Sequence, residues 1–322
     1  MNIIETHALT RDYGKMRAVD RLDMRVAAGE IYGFVGKNGA GKSTAMKMLA
    51  GLVNPSSGEI ELFGASLRSR RARQGFSRIG ALIEDPGVLP TFSALENLMC
   101  KALALGVVRP NAHCRELLEL VGLADTGSLR VRKFSLGMKQ RLGLALALVG
   151  GPDLLLLDEP FNGLDPESTR AMRGALVRLN RERGVTMVIS SHVLDQLDRM
   201  ATSFGVIRSG RMVRELSMDD LHRECGNSIR IRTNDPARTL AILEEALPGT
   251  ALRAEPDGSI LAGAAVRHAA TSFGGAAIAP MAPSAEDVAR ALSEHGLLIL
   301  ELSHVERDIE EYFVELMGGA DA

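Results

Sequence analysis

Cysteine is scarce and poorly placed for pairing. The chain of 322 residues has three, Cys100, Cys114 and Cys225, scattered, odd in number and without C-x-x-C spacing. A disulfide framework is thereby excluded, and buried thiols in a reducing compartment are expected. No Cys and His residues cluster at metal-ligand spacing. Long apolar runs are missing too: Leu142 to Gly151 and Leu154 to Leu157 are the longest, well short of the roughly 18 residues that span a bilayer. The start, Met1-Asn2-Ile3-Ile4-Glu5-Thr6-His7, has neither a basic stretch nor an apolar core, so no signal peptide is expected. A formal net charge of -2 argues against nucleic acid as the main partner. The one arginine-rich stretch, Ser66 to Gln74 with Arg68, Arg70, Arg71 and Arg73, has no interleaved aromatics and reads as a solvated loop or helix end. No internal repeat is evident. These absences leave a cytosolic chain long enough for two domains.

What is present begins with Gly36-Lys37-Asn38-Gly39-Ala40-Gly41-Lys42-Ser43, the full G-x-x-x-x-G-K-[ST] pattern of a phosphate-binding loop. It follows an apolar run, Ile31 to Val35, and precedes a helical pattern with Ala45, Met48 and Leu49 on one face. The motif requires that strand-loop-helix context. Glycines let backbone N–H groups turn toward an anion, and the helix N-terminus adds partial positive charge. Lys42 is placed to neutralise β- and γ-phosphates, Ser43 to hold Mg²⁺ by its hydroxyl and Thr44 to donate to an inner phosphate. The loop residues Gly36, Asn38, Gly39 and Gly41 complete the cradle.

A phosphate loop alone leaves kinases, GTPases and motor ATPases open. The run Leu154-Leu155-Leu156-Leu157-Asp158-Glu159 is an apolar strand ending in two carboxylates. Asp158 can reach Mg²⁺ through its water shell, and Glu159 can face an attacking water. A second strand, Val185 to Ile189, runs into Ser190-Ser191-His192, which positions His192 to touch a γ-phosphate from the opposite side. In Phe134-Ser135-Leu136-Gly137-Met138-Lys139-Gln140-Arg141-Leu142 a serine and a glycine open a helix and make a second anion site.

With those motifs together, the chain resembles the nucleotide-binding subunit of an ABC transporter from about Ile3 to Leu221. The resemblance implies an α/β P-loop NTPase cassette with a RecA-like core, an antiparallel β subdomain and a helical subdomain. It implies binding and hydrolysis of ATP with Mg²⁺. Tyr13 resembles the aromatic that stacks on adenine. Asp165, in Asn162-Gly163-Leu164-Asp165-Pro166, resembles part of the D-loop that crosses between subunits. Ser135 and Gly137 resemble the signature residues that close over the γ-phosphate held by a partner. A head-to-tail homodimer, or a paired ATPase subunit, is therefore implied, with a separate integral membrane permease docking near Glu84 and the region Asp85 to Asn97. The chain would then be cytoplasmic, peripheral on the inner face of the membrane through its permease.

The sequence departs from the family's pattern twice. The signature reads Phe-Ser-Leu-Gly-Met in place of Leu-Ser-Gly-Gly-Gln, and Glu84 stands where most members carry glutamine. A carboxylate can still ligate Mg²⁺; a surface variant without mechanistic effect is the other reading of Glu84. This variant resembles the bacitracin-resistance and lantibiotic-immunity branch, whose members also carry a C-terminal extension. Export of peptide antibiotics is the implied role. An exporter ATPase for another drug or lipid-like compound, a soluble ABC protein outside transport, and a regulatory module with vestigial ATPase activity remain alternatives.

The expected boundary places the cassette at residues 1–222 and an accessory α+β domain at 223–322. After Cys225-Gly226-Asn227, Ile229 to Thr233 alternates as a half-exposed strand. Asp235 and Pro236 read as N-cap and first residue of a helix carrying Leu240, Leu243 and Leu247. A strand near Ser259 to Leu261, a capping box at Ser284 to Asp287, a strand at Leu297 to Leu302 and a helix with Ile309, Tyr312, Phe313 and Leu316 follow. That order suggests a split β-α-β sandwich. Ala262 to Pro283, rich in Ala, Gly and Pro, is assigned no element.

Overall fold

The computed structural model describes all residues except 68, 70–74, 226–227, 249, 265–282, 306–308 and 319–322. The arginine run, the Gly226-Asn227 junction and nearly all of the Ala262 to Pro283 stretch lie outside the described residues. The chain divides into two compact units, Met1–Ser217 with the chain from Phe313 onward, and Met218–Tyr312.

In the first unit, strands β1 (Asn2–Tyr13) and β2 (Met16–Ala27) form a hairpin, joined by β4 (Ser57–Leu62) and β5 (Ala65–Ser66) in an antiparallel sheet of order β2-β1-β4-β5. Its buried side chains, among them Ile4, Leu9, Leu22, Met24 and Ile60, pack with Met46 and Leu49 of helix α1 (Lys42–Leu49). A second sheet follows the order β10-β9-β3-β8-β7-β6. Its strands are β3 (Ile31–Val35), β6 (Ile79–Leu82), β7 (Leu154–Asp158), β8 (Thr186–Ser191), β9 (Ser203–Arg208) and β10 (Arg211–Ser217). Strands β3, β7 and β8 are parallel neighbours and every residue in them is buried. Their near-continuous apolar runs are what a sheet covered on both faces requires. Helices α2 (Ala94–Ala104), α3 (Pro110–Leu120), α4 (Leu136–Leu148) and α5 (Pro166–Arg183) complete the α/β unit.

The second unit opens with α6 (Met218–Cys225) and continues β11 (Ser228–Thr233), α7 (Pro236–Ala246), β12 (Thr250–Ala254), β13 (Ile260–Ala264), α8 (Ala285–Glu294) and β14 (Ile299–Val305). The sheet order β12-β13-β11-β14, antiparallel throughout, is the split β-α-β arrangement that the element order suggests. Ile229, Ile231, Leu243, Val288 and Leu292 form its core. Asp235 and Ser284 cap their helices as expected, accepting N–H bonds from Arg238 at 3.1 Å and Asp287 at 3.1 Å. Strand β12 had no sequence signal: one leucine among small and polar residues does not alternate, and pairing with β13 supplies the order instead. The last helix, α9, spans Ile309–Leu316 with Tyr312, Phe313 and Leu316 buried. The Phe313 ring meets Phe204 edge-on, with centroids 5.4 Å apart. Among the described residues no helix is long and apolar enough to cross a membrane.

Candidate functional site

The register of three parallel strands builds the site. Val35 lies opposite Ser191, and Asp158 opposite Ser190. The phosphate loop leaving β3, the carboxylates ending β7 and the Ser-Ser-His tail of β8 therefore emerge side by side at the carboxyl edge of the sheet. Ligands bind at such edges in open α/β sheets because loops and helix N-termini converge there.

The loop's crest, Lys37 to Gly39, is exposed, while Gly36 and Lys42 are buried. Gly41 has φ 109° and precedes α1 without a side-chain cap. A Cβ there would sit 2.5 Å from the Ala18 carbonyl oxygen, so only glycine turns the chain at this point. The opening N–H groups of α1 receive no side-chain cap, the condition that makes a helix start receptive to an anion. Ser43 and Thr44, in the first turn of α1, are half-buried. Lys42, 5% exposed, folds its ammonium back on the loop, donating to the carbonyl oxygens of Gly36 at 2.6 Å and Lys37 at 3.3 Å.

The same ammonium stands 3.3 Å from Glu159 Oε1, and His192 Nδ1 lies 2.8 Å from Glu159 Oε2. Glu159 adopts φ 48°, an uncommon conformation for a residue with a Cβ. A serine supports it: Ser190 Oγ accepts the Glu159 N–H at 2.8 Å and donates to Asp158 Oδ1 at 2.6 Å. Ser190 is fully buried and Asp158 8% exposed. Sequence reasoning assigned no role to Ser190; its only signal is a hydroxyl at the end of an apolar strand beside a histidine. Among the described residues no three His, Cys, Asp or Glu side chains gather where they could hold a metal. One carboxylate and one hydroxyl, Asp158 and Ser43, still suit Mg²⁺, which takes one or two protein oxygens and completes its shell with phosphates and water.

The other expected residues lie apart from this cluster. Ser135 is the exposed N-cap of α4 and accepts the Met138 N–H at 3.2 Å. Gly137 is buried, and a Cβ there would approach Ser168 Oγ to 2.9 Å. Asp165 caps α5, accepting from Ser168 N–H at 2.8 Å and from Ser168 Oγ at 2.7 Å; those bonds, with the backbone first, hold its carboxyl below the usual range. Helix tip and capped loop thus pack together in one chain, with Ser135 and Leu136 facing outward. Glu84, at φ 63°, is exposed and its Oε1 meets Lys47 Nζ at 2.5 Å. That bond is the largest influence raising the Lys47 pKa. Tyr13 is 40% exposed at the end of β1.

A six-stranded, mostly parallel sheet with this loop at its carboxyl edge, an antiparallel sheet and helical segments between the loop and the carboxylate strand define an ATP-binding cassette. The family model described as ABC transporter matches residues 19–162. The bacitracin transport ATP-binding protein BcrA of Bacillus licheniformis is 36% identical over 98% of both chains. The lantibiotic transport ATP-binding protein SrtF of Streptococcus pyogenes is 38% identical over 67% of this chain and 92% of its own. A solved ATP-binding subunit of an ABC transporter superposes with TM-score 0.61 at 29% identity, covering 69% of this chain and 92% of its own. The cassette MJ0796, solved as a post-hydrolysis dimer with ADP and phosphate, shares the fold at TM-score 0.61 and 22% identity, over 67% of this chain and 98% of its own. The chain belongs to the ABC transporter family, as an ATP-binding subunit of the branch that includes the bacitracin and lantibiotic transport proteins. It is an ATPase.

Proposed function

We propose that this chain powers export of a peptide antibiotic of the bacitracin or lantibiotic type through a separate membrane permease. One observation carries the substrate class: likeness to a bacitracin transport ATP-binding protein runs through 98% of both chains, C-terminal unit included. The working form is a head-to-tail homodimer on the cytoplasmic face of the membrane, each subunit holding ATP for its twin to cover. The outward-facing Ser135 supports this reading, since a serine capping an exposed helix start can reach an anion outside its own chain.

In this reading Lys42 exchanges the loop carbonyls and Glu159 for the β- and γ-phosphates. The backbone of Gly36, Asn38, Gly39 and Gly41 surrounds them, and Thr44 donates to an inner phosphate. Glu159 accepts a proton from the attacking water, and His192 orients Glu159 and then touches the γ-phosphate. Ser43 and Asp158, with Glu84 at the periphery, would hold Mg²⁺, which would supply positive charge against that developing on the phosphate oxygens. Ser135 and Gly137 close the site from the second subunit, and Asp165 shapes the loop crossing to it. Loss of the γ-phosphate removes the bridge, and the dimer opens.

The permease contact falls on the loop before α2. Asn97 is buried and clamps that loop, accepting from Leu89 N–H at 2.7 Å and donating to the carbonyls of Leu89 at 3.2 Å and Ser93 at 2.8 Å. Leu89 and Phe92 remain 45% and 36% exposed on it. The test is purification in detergent after co-expression with the membrane proteins of its own cell. A polytopic membrane protein should co-purify, and bacitracin should raise the ATP turnover of the complex. A chain that purifies alone, or a complex whose turnover ignores bacitracin and lantibiotics alike, overturns the assignment.

A further inference from the structure

We propose that Arg11 is a positioning residue for adenine, its guanidinium backing the Tyr13 ring so that the base meets a pre-set cation–aromatic platform. The inference rests on the reading of Tyr13 as the base-stacking residue and adds a part to it.

Arg11 and Tyr13 lie two apart at the end of β1, where the pairing with β2 shifts register between Arg11 and Asp12, and it is the side-chain contact that brings them together. The guanidinium carbon lies 4.5 Å from the Tyr13 ring centroid, within the reach of a cation–π contact. One hydrogen bond ties the cation down: Nη1 donates to the Asn54 carbonyl at 2.8 Å. Arg11 Nε is buried without a partner, so the ring and this carbonyl define where the group sits. Asn54 belongs to the segment leaving α1, which is clipped to β1 on either side of Arg11. Ser56 N–H donates to the Thr10 carbonyl at 2.8 Å, and Asp12 N–H to Ser56 Oγ at 3.0 Å. The neighbouring carboxylate does not compete for Arg11, because Asp12 pairs with Arg17 at 2.8 Å.

The platform lies beside the phosphate helix. Arg11 is bonded to Asn54, five residues beyond the end of α1 at Leu49. Tyr32 and Tyr312 are each 1% exposed, whereas Tyr13 is 40% exposed and has ring surface to offer. A cation on one face withdraws electron density from the ring and fixes its orientation before the ligand arrives. Both effects favour a base stacking on the other face.

The chain contains no tryptophan, so Tyr13→Trp installs a single fluorescent reporter at the platform. In that background, ATP should change the emission and inorganic tripolyphosphate should not. Adding Arg11→Ala should raise the Kd for ATP by about two- to five-fold, the worth of an exposed cation–π contact. The Kd for tripolyphosphate, read by calorimetry, should stay where it was, and Arg11→Lys should fall between. An unchanged ATP Kd in the Arg11→Ala chain overturns the proposal, as does equal weakening toward tripolyphosphate, which would make Arg11 a support for the whole loop. If calorimetry shows ATP binding while the reporter stays silent with Arg11 intact, the stacking role of Tyr13 itself fails.

Discussion

Lys42 and Glu159 form an ion pair at the bottom of the phosphate site, 3.3 Å apart and 5% and 19% exposed. The cation that would bind phosphate and the carboxylate that would activate water thus neutralise each other, with His192 on the carboxylate's second oxygen at 2.8 Å. In the proposed reaction an incoming triphosphate would compete for the lysine and would leave the carboxylate to its histidine and a water. The pair shields two charges that would be costly to bury singly.

Glu159→Gln keeps the shape and removes the base. The variant should bind ATP at least as well as the parent chain, because Lys42 no longer has a carboxylate to leave. Turnover should fall by roughly 10²- to 10⁴-fold, the usual worth of a positioned general base. Gel filtration with ATP should show a persistent dimer. Hydrolysis at the parent rate would remove Glu159 from the role.

Ser190→Ala tests the support under both carboxylates. The deletion leaves the Glu159 N–H without its acceptor at 2.8 Å and Asp158 Oδ1 without its donor at 2.6 Å. A buried polar group left unpaired costs about 1–3 kcal/mol, which urea denaturation should detect. The Mg²⁺ concentration for half-maximal ATPase activity should rise as Asp158 loses its orientation. A variant with parent stability and parent Mg²⁺ dependence would show that the bridge is dispensable.

Glu84→Gln removes the charge that faces Lys47. The pair is exposed on the glutamate side, 63%, so its loss should cost no more than about 1 kcal/mol of stability. ATP binding should persist, while the stimulation of ATPase activity by the permease and its cargo should change. Unchanged coupling in cells and in the purified complex would make Glu84 a surface feature.

Glu215 gives a pH signature of the fold. Burial pushes its carboxyl above the usual range, partly opposed by bonds from Tyr32 Oη at 2.7 Å and the Arg25 N–H at 3.0 Å. The folded chain therefore keeps a proton that the unfolded chain has already released, and stability declines as pH rises from the unfolded value through the folded one. Glu215→Gln should flatten that part of the stability curve. Urea midpoints measured across the mildly acidic range decide the matter; equal slopes in parent and variant would refute it.

Much of the site is legible in the chain because its parts are short and local. The phosphate loop needs glycines where Cβ atoms would collide, and each helix cap needs a hydroxyl or carboxylate three residues before its donor. Gly41, Ser135, Asp235 and Ser284 meet those demands within a few residues of sequence. Apolar runs buried on both faces likewise mark β3, β7 and β8. Ser190, Asn97 and the Lys47–Glu84 pair were not legible as partners, since a lone serine, asparagine or lysine has many bland uses. Strand β12 escaped because its pairing with β13 orders it where its own side chains do not.

The amino-acid order by itself determined the local parts: a glycine-rich turn before a helix, a carboxylate ending a buried strand, and where helices start. Only the folded chain decided which of these groups meet. His192 and Glu159 are 33 residues apart and Lys47 and Glu84 are 37 apart. Contacts at such separations depend on strand order and register, which the packing of the whole sheet sets and no local pattern encodes.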